Sequence, residues 1–245
     1  MNELKQLATF KKVLADYHIS NASKDILRKT ELALLVAPTS AGRNTIIREL
    51  IKTHRYHYII SDTTRQPRIN NGVLEQNGVE YWFRTEDDML ADLVDGQFLE
   101  AAIIHNQQVS GISVRELKKA HDENKTAVTD IEIMGVETII QLKPDTIVLF
   151  VLPPNFKEWL SRIKLRGEMH GLEYRRRVDS ALKEFKAALE KPYYSFVIND
   201  QVVHAVEQIH AITQDKKIDL QLQHRSRLLA KQLYQQTQRY LKELG

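Results

Sequence analysis

The chain has 245 residues, 42% hydrophobic and 27% charged, with a formal net charge of +3 and no cysteine. This length and balance suit one α/β domain with additions, and the lack of cysteine excludes disulfides, thiolate metal sites and a cysteine nucleophile. The longest apolar run, Thr146 to Leu152, falls far short of the ~20 residues of a membrane span. With no signal-peptide pattern at the start, a cytoplasmic protein without membrane contact is expected.

Leu4, Leu7, Phe10, Leu14 and Tyr17 recur at helical spacing, which predicts an N-terminal extension over 1–28 of one or two amphipathic helices. Glu31 to Val36 is a short apolar run suited to a buried parallel strand. It leads into Ala37-Pro38-Thr39-Ser40-Ala41-Gly42-Arg43-Asn44-Thr45 and then the helix-like Ile46 to Leu50. Strand, small-residue loop and helix make the setting of a P-loop, where backbone N–H groups and the helix N-terminus receive phosphate. Against G-x-x-x-x-G-K-[ST], only Gly42 agrees outright. Ala37, Arg43 and Asn44 replace the first glycine, the lysine and the magnesium-binding hydroxyl. An ordinary strand-to-helix turn is the alternative this segment leaves open.

Further on, Ser61-Asp62-Thr63-Thr64-Arg65-Gln66-Pro67-Arg68 sets two arginines three residues apart in a stretch that Pro67 keeps extended. Guanidinium forks preceded by hydroxyls read as a seat for a small phosphorylated ligand; a solvated arginine pair is the alternative. Apolar runs at 31–36, 56–60, 126–131, 146–152 and 195–198 alternate with helical stretches, predicting a parallel sheet covered by helices over 31–212. The last segment, 216–245, places Leu222, Leu229, Leu233, Tyr240 and Leu244 on one helical face. Its seven Lys/Arg stand against Asp219 and Glu243, so it supplies +5 of a chain total of +3 and the remainder nets −2. Without a nucleic-acid-binding signature, that basic face is read as solvated and no nucleic-acid partner is expected. The terminal helices remain candidates for a homodimer or partner contact.

Taken in order, these segments resemble the guanylate kinase family. Gly78-Val79-Glu80-Tyr81-Trp82-Phe83 is similar to its G-x-D-Y-x-F, Gly96-Gln97-Phe98-Leu99-Glu100 to G-x-F-x-E, and Asp130-Ile131-Glu132-Ile133-Met134-Gly135 to D-I-D-x-Q-G. Leu152-Pro153-Pro154 resembles the strand that ends in a double proline, and Val197-Ile198-Asn199-Asp200 the closing strand. Arg162, Arg166-Gly167 and Arg177 follow Pro154 at the spacing of the family's lid arginines. The resemblance covers about residues 31–212.

What the resemblance implies is a P-loop mononucleotide-kinase-like α/β fold with a parallel sheet, a GMP-binding subdomain at about 61–115, a helical lid at about 155–180 and added terminal helices. It implies transfer of a phosphoryl group from ATP, with Mg2+, to GMP or dGMP. ATP would meet Thr39, Ser40, Ala41, Gly42, Arg43, Asn44 and Thr45, with Asn44 or Thr45 offered to the metal. GMP would meet Ser61, Arg65, Arg68, Tyr81, Glu100, Ser110, Asp130 and Glu132. Arg43, Arg162, Arg166 and Arg177 would neutralise the transferring group, because such a reaction asks for cations and water exclusion rather than covalent help. Glu100 suits guanine, whose ring N–H and exocyclic amine give a carboxylate two parallel bonds. The altered P-loop, the replacement of the family's tyrosine by Ser110, and a loop between Arg68 and Tyr81 about four residues longer than the family's keep a second reading open. In it the chain is a catalytically impaired binding module that uses the GMP pocket for a nucleotide or a phosphorylated partner.

Overall fold

A computed structural model describes residues 4–70, 72–165 and 171–244. The first half runs α1 (Leu7–Ala15), α2 (Asn21–Lys29), β1 (Leu32–Val36), α3 (Arg43–Lys52), β2 (Tyr56–Tyr58), β3 (Asp62–Thr63), β4 (Ile69–Asn70), β5 (Val73–Leu74), β6 (Trp82–Phe83), α4 (Glu86–Val94), β7 (Phe98–Ile104) and β8 (Gln108–Ser113). The second runs α5 (Val114–Asp122), β9 (Thr126–Asp130), α6 (Ile133–Leu142), β10 (Ile147–Leu152), α7 (Phe156–Leu165), α8 (Gly171–Glu190), β11 (Tyr194–Ile198), α9 (Val202–Thr213) and α10 (Leu220–Glu243). The chain divides into two compact units. One takes the segment up to Glu31 with Tyr56–Ala127 and Glu137–Pro144; the other takes Leu32–Arg55, Val128–Val136 and the chain from Asp145 onward.

In the unit that begins at Leu32, strands lie in the order β11-β10-β1-β9. β1 and β11 both pair with β10 in parallel, the arrangement expected of apolar runs covered on both faces. Every residue of β1 is buried. On β10 the Phe150 ring meets Phe185, Tyr194 and Phe196 with centroids 5.9, 5.8 and 6.0 Å away, and Trp159 continues the stack edge-on to Phe185 at 5.7 Å. β11 is the edge strand, and long amides occupy its free backbone groups. Gln223 bonds both N–H and C=O of Phe196, at 2.8 and 2.9 Å, and Gln208 bonds both of Ile198 at 3.1 Å. At these two residues the edge is closed to pairing with another chain.

The seam of α10 keeps Leu233 of the expected leucine face, with Leu222, Leu229 and Tyr240 half-buried, and adds smaller residues to it. Its buried residues are Ser226, Ala230, Leu233 and Thr237, and the helix packs on α8 and β11. Small residues let two helices approach closely, and the two hydroxyls satisfy themselves on carbonyls one turn back, Ser226 on Leu222 at 2.8 Å and Thr237 on Leu233 at 2.7 Å.

In the other unit a four-stranded sheet has the order β6-β3-β8-β7. β7 and β8 form an antiparallel hairpin with an irregularity between Phe98 and Glu100. α1 packs on α4 and β7, and α2 on α5. The core here joins Leu4 and Phe10 of the N-terminal segment to Met89, Leu90, Leu93, Phe98 and Val109. Beneath the sheet the fully buried Asp62 takes one arm each from Arg84 and Arg115, both at 2.8 Å; burial pushes its carboxyl up despite the two cations. Among the described residues no helix is long and apolar enough to cross a membrane.

Candidate functional site

The turn between β1 and α3 is shaped by its own backbone and by two clamps from other elements. Ser40 and Gly42 adopt left-handed backbone (φ 61° and 95°), and α3 opens with Thr45 and Ile46 both bonding to the Gly42 carbonyl at 3.1 Å. The Asn199 amide, at the end of β11, donates to the Ala41 carbonyl at 2.7 Å. Trp159, on α7, gives its indole N–H to the Thr39 carbonyl at 2.8 Å. A Cβ on Gly42 would stand 2.2 Å from the Asn199 amide nitrogen, so the clamp and the backbone angle both demand glycine there.

Within this turn two polar atoms, the Ser40 hydroxyl oxygen and Arg43 Nε, are buried without a hydrogen-bond partner. Orphaned donors of this kind at a helix N-terminus suit an anion. The far end of Arg43 is engaged, with Nη2 2.7 Å from Asp130 Oδ2 at the end of β9. Glu184 of α8 accepts from the Ser180 hydroxyl at 3.2 Å, while its other oxygen is buried and unpartnered. Burial pushes the Glu184 carboxyl up to about 7; the charge of Glu132 adds to this and Arg43 opposes it. Glu132 and Asn44 are exposed, and the Thr45 hydroxyl accepts a long bond of 3.3 Å from Arg48. Among the described residues no cluster of three or more His, Asp or Glu could hold a metal ion by itself. The neutral and acidic oxygens present fit a magnesium ion that arrives on a nucleotide's phosphates, since Mg2+ takes few protein ligands.

Two of the expected lid arginines also belong to this unit. Arg162 rests on Glu158 at 2.6 Å and reaches the Asn199 carbonyl at 3.4 Å. Arg177 rests on Glu173 at 2.7 Å and reaches the Thr39 hydroxyl at 3.4 Å. Each is held one helical turn away by an acid of its own helix, and each also touches the phosphate turn or its clamp. Arg166 lies outside the described residues.

The other unit gathers Arg65, Arg68, Tyr81, Glu100, Ser110 and Ser61. The Arg65 side chain is only 9% exposed: both its arms fork onto Glu75, at 2.5 and 2.9 Å, and its guanidinium lies 4.7 Å over the Tyr81 ring. Glu75 accepts as well from the Arg68 backbone N–H at 2.9 Å, whereas the Arg68 side chain is exposed. Ser110 donates to the Thr63 hydroxyl at 2.9 Å, and the Ser61 carbonyl accepts from Trp82 N–H. Half-buried Glu100 lies opposite Ile112 on β8; next to it the backbone comes so close that a Cβ on Gly111 would meet the Glu100 carbonyl at 2.6 Å.

Sequence reasoning missed Glu75, Trp159, Asn199 and Glu184 as parts of these sites. Asn199 had a signal, since it stands in a matched string. Glu75, between two glycines in an exposed loop, had none, because burial of an acid in a loop leaves no periodic trace.

A parallel sheet whose first strand turns through a glycine-bearing phosphate loop into a helix, with arginine-bearing helices nearby, defines the P-loop mononucleotide-kinase class. Residues 29–216 match the family model described as "Guanylate kinase", and the chain belongs to the guanylate kinase family. It is 32% identical over 182 residues to a guanylate kinase of Clostridium perfringens (strain 13 / Type A), covering 74% of this chain and 81% of that one. It is 29% identical over 196 residues to a guanylate kinase of Malacoplasma penetrans (strain HF-2), covering 78% and 96%. Among solved structures, guanylate kinase from Anaplasma phagocytophilum shares the fold, with a TM-score of 0.55 at 19% identity over 78% of this chain and 87% of that one.

Proposed function

We propose that this protein transfers the terminal phosphoryl group of ATP to GMP or dGMP. The observation that carries this reading is the buried, unpartnered pair of Ser40 Oγ and Arg43 Nε at the start of α3. A cradle with idle donors supports a phosphate ligand far better than a plain turn, whose buried donors would be satisfied internally. In this reading the backbone of 39–45 holds the donor phosphates, and Arg43 exchanges Asp130 for a phosphate oxygen. Magnesium, bound with ATP, would be met by Thr45 or Asn44 and would spread charge over the phosphates during transfer.

Arg65, Arg68 and Tyr81 hold the acceptor phosphate, and Glu100 reads the guanine edge, with Ser61, Ser110, Asp130 and Glu132 completing the acceptor contacts. Arg162 and Arg177 move from their resting acids onto the transferring group, where Arg166 joins them. Such cations act most strongly when charge is in transit and water is excluded. The lid would span about 155–180 and the acceptor subdomain about 61–115, with 1–28 and 216–245 as additions to a kinase-like domain of 31–212.

A second reading, a binding module without turnover, draws on the Arg43–Asp130 pair, which occupies the cation the donor needs. A coupled assay with ATP and Mg2+ against GMP, dGMP, AMP, CMP and UMP, with calorimetric titration of ATP and GMP separately, decides between them. Turnover with GMP or dGMP supports the kinase. GMP binding without ATP binding or turnover leaves the module.

A further inference from the structure

Tyr17, in the N-terminal segment that precedes the family-matched region, makes an unusual double contact. Its hydroxyl donates to the Phe98 carbonyl at 2.6 Å and accepts from the Phe98 N–H at 2.8 Å. β7 is an edge strand, so these two groups face away from β8 and would otherwise need water. One phenol satisfies both, as Gln223 does for β11.

Phe98 lies two residues before Glu100 on the same strand. The pairing of β7 with β8 is regular from Glu100 onward and slips between Phe98 and Glu100. A slip of this sort re-aims the side chains beyond it. Phe98, paired with Ser113 on one side, is thus the last fixed point before Glu100, and Tyr17 holds its other side. The surroundings pin the same corner. Ser20 N–H bonds the Gly96 carbonyl at 3.0 Å, a Cβ on Gly96 would meet Ser20 N at 2.5 Å, and at the far end of the hairpin Leu4 N–H bonds the Asn106 carbonyl at 3.2 Å. Phe10 and Leu4 then fill the core beneath Phe98.

From this geometry we infer that Tyr17 is a positioning residue for nucleobase selection, holding the start of β7 so that Glu100 presents its carboxylate to the guanine edge. The inference rests on the reading of Glu100 as the base-contacting group. Burial raises the Tyr17 hydroxyl to about 12, opposed by its bond to Phe98, so the group stays a donor at every working pH.

The test compares GMP with IMP, which lacks the exocyclic amine, in the full chain. Tyr17→Phe keeps the ring and its packing and removes the bridge. Its GMP affinity should fall about tenfold, the loss of roughly one well-made hydrogen bond at Glu100, while IMP binding changes less, so the GMP-over-IMP preference shrinks. Amide exchange of Phe98 should quicken in the same variant. A lowered Tm with an unchanged GMP-over-IMP ratio overturns the inference and leaves a purely structural tyrosine. Wild type supplies a measurement independent of any variant's folding: by reciprocity, GMP should slow exchange of the Phe98 amide more than IMP does, and equal protection by both overturns the inference. Glu100→Gln separates the two failures. If it abolishes the preference while Tyr17→Phe does not, the base-reading assignment stands and Tyr17 falls; if wild type shows no preference for GMP, both fall.

Discussion

Asp130 Oδ2 stands 2.7 Å from Arg43 Nη2, so the cation of the phosphate turn is held by the strand that ends beside it. An arginine reaches that acid where a shorter, compact ammonium would stay beneath the phosphates. Arg43→Lys with Asn44→Ser should therefore raise turnover with ATP and GMP, by about tenfold if the restored groups recover roughly 1.4 kcal/mol in the transition state. Steady-state turnover, with ATP affinity by calorimetry, checks this. Lower turnover in the double variant would show that the turn is tuned to the arginine and that a lysine cannot take over its exchange of Asp130 for phosphate.

Arg65 and Glu75 form an enclosed ion pair, at 9% and 5% side-chain exposure. Arg65→Ala strands a buried carboxylate and should cost about 3–5 kcal/mol in urea unfolding, besides weakening GMP. Replacing both partners, by Arg65→Met with Glu75→Gln, should restore most of the stability without restoring GMP affinity. Recovery of GMP binding in that double variant would remove Arg65 from the phosphate seat.

For the base, Glu100→Gln keeps shape and swaps one acceptor oxygen for a donor. GMP should lose about 1.5–3 kcal/mol of binding while AMP loses little. Equal losses for the two nucleotides, titrated side by side, would assign Glu100 a structural role instead.

Glu184 carries a pH signature. Its folded-state value, raised by burial to about 7, lies above the 4.5 of an ordinary glutamate. The folded chain then holds the proton longer than the unfolded one. The associated stability is complete below pH 4.5 and is lost as pH rises through about 7, a change on the order of 3 kcal/mol. Glu184→Gln should flatten that part of the stability–pH curve and gain most at pH 8. An unaltered slope between pH 4.5 and 7 in urea titrations would refute the assignment.

The parts legible in the sequence were those that repeat or punctuate. β1 showed as a continuous apolar run because both its faces are covered, and Gly42 as the one residue a left-handed turn against Asn199 accepts. The five apolar runs correspond to β1, β2, β9, β10 and β11. The two-residue strands β3 and β6 had too little length for any period to register. Helical spacing marks Tyr17 only as part of an apolar face, since it reports which side is buried and says nothing of a hydroxyl at the tip. The contacts of Glu75 with Arg65 and of Asp130 with Arg43 join residues whose distance apart along the chain no local pattern encodes. On α10 the spacing of leucines marks Leu233 of the buried seam, while Ser226, Ala230 and Thr237 beside it carry no apolar signal.

The bridge from Tyr17 to Phe98 spans 81 residues of chain. At a synthesis rate of about 5–20 residues per second, the N-terminal segment waits roughly 4–16 seconds on the ribosome before its partner strand exists. Throughout that interval Leu4 and Phe10 have no Met89, Leu93 or Phe98 to cover them. The nascent chain therefore carries these apolar side chains uncovered until the β7 segment is made, and Tyr17 can close its bridge only after synthesis has passed Phe98.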